Sequence, residues 1–392
     1  MKTHDVVIIG GGVIGSSVAC WLAADPDFDG SVVVVERDPS YRNSSTARSN
    51  SCIRQQFSTP ENIEISRFGI HFIKNVGDYL SVDGERPELS FVESGYLFLA
   101  DSGNEAALRN TLRILECQGV DDVEWRSVAQ LQDQYPWLNT DAMTGATLGI
   151  RNEGWFDPFS LLQAFKRKAQ SLGVEYISAE VTGMRREQGC ITRVDTQASG
   201  TLACGAVVNA AGPRARFVAN MAGLDVPVSP RKRDVFVFQC RQEVPIEPLV
   251  IDPRGLYFRR EGQYFICGRQ PAADKDPESL GLDVDHEFFE ATLWPQLAAL
   301  VPAFEAIKPV NAWAGHYALN LADQNALLGP LPEVENLYFA NGFSGHGMQQ
   351  SPAVGRAISE LMVHGRFRTL DLTRLLAARL VTSDLLREAY VV

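Results

Sequence analysis

Residues 5–36 read DVVIIGGGVIGSSVACWLAADPDFDGSVVVVE, and how this stretch divides decides the fold. After Asp5, residues 6–9 are wholly apolar, as a strand buried on both faces of a parallel sheet must be. Gly10, Gly12 and Gly15 turn the chain into residues 13–24, a helical stretch halted at Asp25-Pro26. Residues 32–36 form a second buried strand, so the stretch is a strand–helix–strand unit. In such a unit the first glycine permits a tight turn, the second admits a pyrophosphate close to the backbone, and the third lets helix and strand pack closely. The helix N-terminus faces the phosphates, and Glu36, closing the second strand, can accept from a ribose hydroxyl. An acidic residue there repels a 2′-phosphate. That argues against NADP and leaves NAD and FAD both open.

Further along, helical spacing runs through residues 60–80, and helices are expected over about 104–118 and 158–171. Residues 91–99, FVESGYLFL, read as a strand of a different sheet, and AVVNAAG at 206–212 as another buried parallel strand. From about 226 to 270 the pattern alternates, with VFVFQC followed by LYFRREGQYFICGR and a hairpin turn at Glu261-Gly262. The triplet Arg231-Lys232-Arg233 reads as a solvated strand edge. ENLYFANG at 335–342 is a last strand, followed by a helix that Gly365 closes.

A chain of 392 residues is long for one domain, and 45% hydrophobic with 21% charged residues is ordinary globular composition. A net charge of −12 argues against nucleic-acid partners, which need a basic face. The seven scattered cysteines form no CxxC pair and the six histidines no HExxH, so neither a disulfide framework nor a metal site is expected. Asp5 and three consecutive glycines interrupt the opening apolar run, which rules against a signal peptide, and no apolar run is long enough to span a membrane. A cytoplasmic protein is the expectation.

Three segments, NSSTARSNSCIRQQFS, AVVNAAGPRA and GFSGHGMQQSPAVGR, together resemble the D-amino-acid-oxidase/sarcosine-oxidase (DAO) family of FAD enzymes. RQQFSTPENIEIS, GLYFRREG, AWAGHY and DQNALLGP look most like its mitochondrial FAD-dependent oxidoreductase domain subgroup, which is linked to assembly of respiratory complex I. The fold class implied is α/β plus antiparallel β: a Rossmann-like FAD-binding domain of the glutathione-reductase type with an inserted antiparallel-sheet substrate domain. On this reading residues 1–85, 145–222 and 320–392 build the FAD domain, and residues 86–144 and 223–319 the substrate domain.

The resemblance implies that Gly10, Gly12, Gly15, Glu36 and Arg37 hold the AMP half of FAD, and that the Val181 backbone holds the adenine. Ser45, Thr46, Arg48 and Ser49 would reach the pyrophosphate and flavin, and Ala211 and Gly212 end a strand beside them. Gly342, Phe343, Ser344, Gly345, His346, Gly347 and Met348 would wall the isoalloxazine ring. The helix starting near Met348 would turn its positive end toward an anionic reduced flavin. His346 is expected to hydrogen-bond the ring or shape the loop rather than act as a general base, so the flavin itself does the chemistry.

Arg54 matches the arginine that grips a substrate carboxylate, a task for which a guanidinium fork is suited; its alternatives are a surface salt bridge or a phosphate contact. Tyr257, His316 and Tyr317 are candidates to line the substrate pocket, with ordinary aromatic packing in the inserted sheet as the alternative. Gln349 stands where sarcosine oxidases carry a lysine, and Ile266 where they carry the lysine that promotes reaction with oxygen. A dehydrogenase passing electrons to a quinone or an electron-transfer protein is therefore favoured over a fast oxidase using oxygen. The family's covalent-attachment cysteine and histidine are missing near AWAGHYALN and NSSTARS, so FAD is expected to be non-covalent. The leading expectation is C–N oxidation of a small amino acid, N-substituted or not, recognised by its carboxylate. The rivals are a 2-hydroxy-acid dehydrogenase and a flavin-loaded assembly or scaffold protein with little turnover.

Overall fold

The computed structural model describes residues 2–197 and 199–388. Its first sheet has eight strands. Lys2–Ile9 lies between Val32–Glu36 and Gly200–Asn209, all parallel, with Val6 opposite Val32 on one side and Ala206 on the other. Glu175–Ser178 and Val334–Asn341 extend the parallel order on either flank, and Leu327–Leu331 closes one edge antiparallel. Val6 and Ile8 pack into one apolar layer, Val7 and Ile9 into the other. Burial on both faces explains the unbroken apolar run, since each such side chain contributes about 2 kcal/mol of transfer free energy. The helix Val13–Ala24 packs against Gly347–His364 so closely that a Cβ on Gly355 would lie 2.1 Å from Ser17 Oγ. The two ends of the chain thus share one core.

The second sheet also has eight strands, drawn from residues 96–149 and 228–320. It is antiparallel except for one parallel pair, Leu249–Ile251 beside Tyr96–Ala100. Gly145–Gly149 belongs to this sheet, which corrects the expected boundary after residue 144. Among the described residues, no helix is long and apolar enough to cross a membrane.

Four local expectations change. The helical stretch 60–80 breaks at Asn75 into Pro60–Lys74 and Val76–Leu80; Asn75 leaves the helical region (φ −118°, ψ 27°) while the apolar spacing continues past it. Strand 91–99 shortens to Tyr96–Ala100, because Gly95 takes φ +80° where a Cβ would sit 2.2 Å from the Gly149 carbonyl oxygen. In the hairpin Glu261 pairs with Tyr264, so Gly262 (φ +60°) and Gln263 make the turn, one residue later than expected. Finally, Arg231–Arg233 is no solvated edge. It lies inside the strand Val228–Cys240, and the segment 270–285 covers it through the Arg233–Asp276 ion pair, both side chains being 8% exposed.

Candidate active site

A cavity of about 500 Å³ opens at the carboxyl ends of the parallel strands and runs beneath the second sheet. At one end lies the glycine turn. Gly10 has φ +99°, and a Cβ there would meet the Ala210 carbonyl oxygen at 2.5 Å; a Cβ on Gly15 would meet the Gly10 carbonyl oxygen at 1.9 Å. Gly15 therefore stands behind the cavity wall as the close-packing glycine, while Gly10 and Gly12 line it. The helix Val13–Ala24 has no side-chain cap at Gly12 and no acidic residue in its first turn, which leaves its positive end open to an anion. Thr46 Oγ1 accepts from Val13 N at 3.1 Å, and Glu36 accepts from Gly11 N (2.7 Å) and Asp38 N (2.8 Å). Arg37, Val181, Ala211 and Gly212 line the same end, with Arg37 3.9 Å from Glu180.

The middle of the cavity is formed by residues 43–52. Ser45 Oγ, Asn50 Oδ1 and Ser51 Oγ are buried there without a protein hydrogen-bond partner. Ser49 Oγ accepts from Ser51 N. Arg48 spans to the second sheet, donating to the carbonyl oxygens of Arg42 (3.1 Å) and Ala314 (2.9 Å) and to Asn43 Oδ1 (3.0 Å). Its guanidinium thus fastens the loop rather than projecting freely into the cavity.

The far wall is the loop 343–349, with Phe343, Gly345, His346, Gly347, Met348 and Gln349 lining it. Gly342 (φ +70°) and Ser344 (φ +51°) sit behind this surface: Ser344 Oγ accepts from Asn320 N at 3.0 Å, which ties the loop to the end of the strand Ile307–Asn320. Gly345 has φ +98° and lies against the Tyr317 ring, where a Cβ would come within 2.5 Å.

Arg54 reaches this wall from the short strand Cys52–Ile53 and is 3% exposed. Its guanidinium lies 4.0 Å from the Phe57 ring centroid and 5.3 Å from that of Phe98. Nη1 donates to the Gln56 carbonyl oxygen, and Nη2 lies 3.2 Å from His346 Nε2. Because a guanidinium only donates, His346 must offer Nε2 as an acceptor. Burial and the charge of Arg54 hold His346 well below its ordinary 6.5, so the imidazole is neutral and its lone pair is engaged. Such a histidine orients Arg54; it is not poised as a base.

Tyr257 accepts from Asn50 Nδ2 at 2.6 Å, leaving its own proton to donate elsewhere. Burial pushes both Tyr257 and Tyr317 upward, so both are neutral donors. Tyr96, Val235, Leu249 and Ile251 complete an apolar chamber, with Leu280 and Leu282 among the residues lining the cavity from the covering segment. That segment is held by Arg233, bidentate on Asp276 (2.7 and 2.8 Å), by Lys232 Nζ on the Asp283 carbonyl oxygen (2.6 Å), and by His316 on Gly281 O (3.1 Å). Ile266 is buried in the sheet and does not line the cavity.

Sequence reasoning missed Asn50, Cys52, Arg214 and Arg233 as lining residues, whereas His316, expected beside Tyr317, does line the cavity. Asn50, Cys52 and Arg214 lay inside quoted motifs and could have been singled out, whereas nothing local distinguishes Arg233. Away from the cavity, Asp25, Asp27 and His364 bring potential metal ligands within 4.8 Å of one another, a grouping the sequence did not suggest. Arg368 Nη1 lies 3.1 Å from His364 Nε2, where a guanidinium competes with any cation.

The model of the FAD dependent oxidoreductase family, DAO, matches residues 5–361. FAD-dependent oxidoreductase domain-containing protein 1 of Bos taurus is 42% identical, over 96% of this chain and 85% of its own. Sarcosine oxidase subunit beta of Rhizobium meliloti is 25% identical, over 92% of this chain and 85% of its own. Among solved structures, L-proline dehydrogenase from P. horikoshii superposes with a TM-score of 0.86 at 27% identity, covering 98% of this chain and all of that one.

Proposed function

The chain belongs to the DAO family of FAD-dependent oxidoreductases, and on that premise we propose that it oxidises the C–N bond of a small, N-substituted α-amino acid held by its carboxylate at Arg54. FAD is the cofactor of the family, and the cavity suits it. The uncapped helix end at Gly12 matches a pyrophosphate, and the orphaned Ser45 Oγ, Asn50 Oδ1 and Ser51 Oγ await polar partners in the middle. Gly345, His346 and Gly347 line the far end, where two glycines leave room for close approach of a ring. Bound there, the flavin supplies the hydride acceptor.

The observation that carries the substrate reading is the buried guanidinium of Arg54 in a chamber walled largely by Tyr96, Tyr257, Tyr317, Val235, Leu249 and Ile251. A carboxylate entering it exchanges water for a preoriented charge-assisted fork. Tyr257, which lines the same chamber and accepts from Asn50, keeps its own proton and adds a neutral donor. The apolar walls disfavour an ammonium, so the amine binds uncharged with the nitrogen lone pair that hydride loss requires. The segment 270–285 excludes water during that step. The likeness to L-proline dehydrogenase, whose name describes oxidation of a secondary amino acid, supports an N-substituted substrate. Gln349, which lines the cavity in place of a lysine, supports an acceptor other than oxygen. The seven free cysteines support a reducing compartment.

Anaerobic mixing of the holoprotein with a panel of secondary and primary amino acids, 2-hydroxy acids and amines lacking a carboxylate tests this. Secondary amino acids should bleach the flavin, and Arg54→Met should abolish bleaching while retaining FAD. Reduction by hydroxy acids alone, or by no member of the panel, would refute the reading.

A further inference from the structure

Arg54 is carried by a segment, residues 54–59, that joins a two-residue strand to a helix and has no sheet or helix partners of its own. The backbone N–H groups of residues 54–58 nevertheless find acceptors, mostly side chains from remote parts of the chain. Arg54 N donates to Gln349 Oε1 (3.0 Å). Gln55 N and Gln56 N donate to Glu153 Oε1 (2.7 and 3.2 Å), and Ser58 N to Glu388 Oε1 (2.7 Å).

Glu388 is 4% exposed. Besides Ser58 N, its carboxylate accepts from Ser58 Oγ (2.6 Å), Thr59 Oγ1 (3.0 Å) and Asn62 Nδ2 (3.1 Å). It therefore places a negative charge at the N-terminus of the helix Pro60–Lys74, where the helix dipole favours one. The segment bearing it is itself anchored. Leu386 N donates to Asp323 Oδ2 (3.1 Å), and its carbonyl oxygen accepts from Asn325 Nδ2 (2.6 Å). Asp323 is fixed by a buried ion pair with Arg379, and Asn62 is shared with Asn325 and Gln350. Among the charges that oppose the effect of burial on Arg54, that of Glu388 is the largest.

We infer that Glu388 is a positioning residue for the substrate carboxylate site: its buried carboxylate, clamped on Ser58, Thr59 and Asn62, holds the Arg54 segment in its binding geometry. The inference rests on the proposed role of Arg54. A carboxylate ligand would gain affinity from this clamp because the loop needs no ordering when it binds. A clamp that only supported the fold would leave ligand affinity unchanged in any variant that still folds.

The experiment titrates FAD-loaded wild type, Glu388→Gln, Glu388→Asp and Ser58→Ala with benzoate, a carboxylate that flavin cannot oxidise, and with benzamide as its uncharged counterpart. The readout is the perturbation of the flavin absorbance band. Glu388→Gln should weaken benzoate about tenfold, the scale of one charge-assisted hydrogen bond. Ser58→Ala should weaken it less, Glu388→Asp should recover part of the loss, and benzamide should respond equally in all four proteins. With the best substrate of the holoprotein, KM should rise in Glu388→Gln while kcat changes little. Benzoate affinity within twofold of wild type in Glu388→Gln would overturn the inference. If that variant does not fold, unchanged affinity in both Glu388→Asp and Ser58→Ala would do the same. A wild type that binds benzoate no better than benzamide would overturn the Arg54 reading along with it.

Discussion

Glu153 offers a sharp quantitative test, because it is a fully buried carboxyl that the chain uses as an acceptor. It is 0% exposed, and its two oxygens accept from Gln55 N, Gln56 N and Gln56 Nε2. Gly149 leaves room for it, since a Cβ there would lie 1.9 Å from Glu153 Oε2. Burial pushes its pKa from 4.5 up to about 7, against the hydrogen bonds from Gln56 and Gln55 and the charge of Arg54. The folded chain therefore binds this proton more tightly than the unfolded chain does. The resulting stability is fully present below the unfolded value of 4.5 and is lost as pH rises through about 7. Evaluated by linkage, the loss between about pH 5 and about pH 8 is about 2–3 kcal/mol. Glu153→Gln cannot ionise and lacks this slope. Its stability relative to wild type should thus improve by about 2–3 kcal/mol over the same interval, whatever the absolute offset at either end. For 392 residues, an unfolding entropy near 2 cal/mol/K per residue turns this into a Tm difference that moves by about 3 °C. Paired thermal unfolding of the two FAD-loaded proteins across that pH series measures it directly. Parallel pH profiles would show that Glu153 titrates normally and that the buried-carboxyl reasoning is wrong.

Gln349→Lys restores the residue type of sarcosine oxidases but removes the acceptor for Arg54 N, and an orphaned buried N–H costs about 1–3 kcal/mol. Benzoate affinity should fall despite the added charge, and a gain would refute the role given to the Gln349 oxygen. Asp276→Asn leaves Arg233 without its carboxylate beneath the covering segment, where both side chains are buried. Iodide should then quench the flavin fluorescence at least about twofold more effectively; unchanged quenching would mean that the segment stays closed without the ion pair.

What could be read locally was read well, and for a physical reason. Gly10, Gly12, Gly15 and Glu36 lie within one strand–helix–strand unit, where spacing along the chain dictates position in space. The misreadings share the opposite cause. Residues 60–80 keep apolar spacing across the break at Asn75, because both helices bury the same side. Arg231–Arg233 looked solvated because charge runs usually are; only the distant Asp276 reveals that Arg233 is buried and paired. Glu153 and Glu388 carry no motif at all, since a buried carboxylate and a surface one are spelled alike. Gln349 was noticed as a missing lysine, whereas its use as an acceptor for Arg54 N could be seen only once residues 295 positions apart had met.

The sequence by itself determined the parallel core, the glycine turn at one end of the cavity and the family, because these depend on short-range periodicity, on glycines demanded by backbone geometry and on long motifs. Tertiary structure alone decided what surrounds Arg54. Residues 153, 346, 349 and 388 converge on one irregular segment whose backbone donors must be satisfied inside a buried site. Hydrogen-bond satisfaction is a property of the packed interior, and no spacing along the chain encodes it.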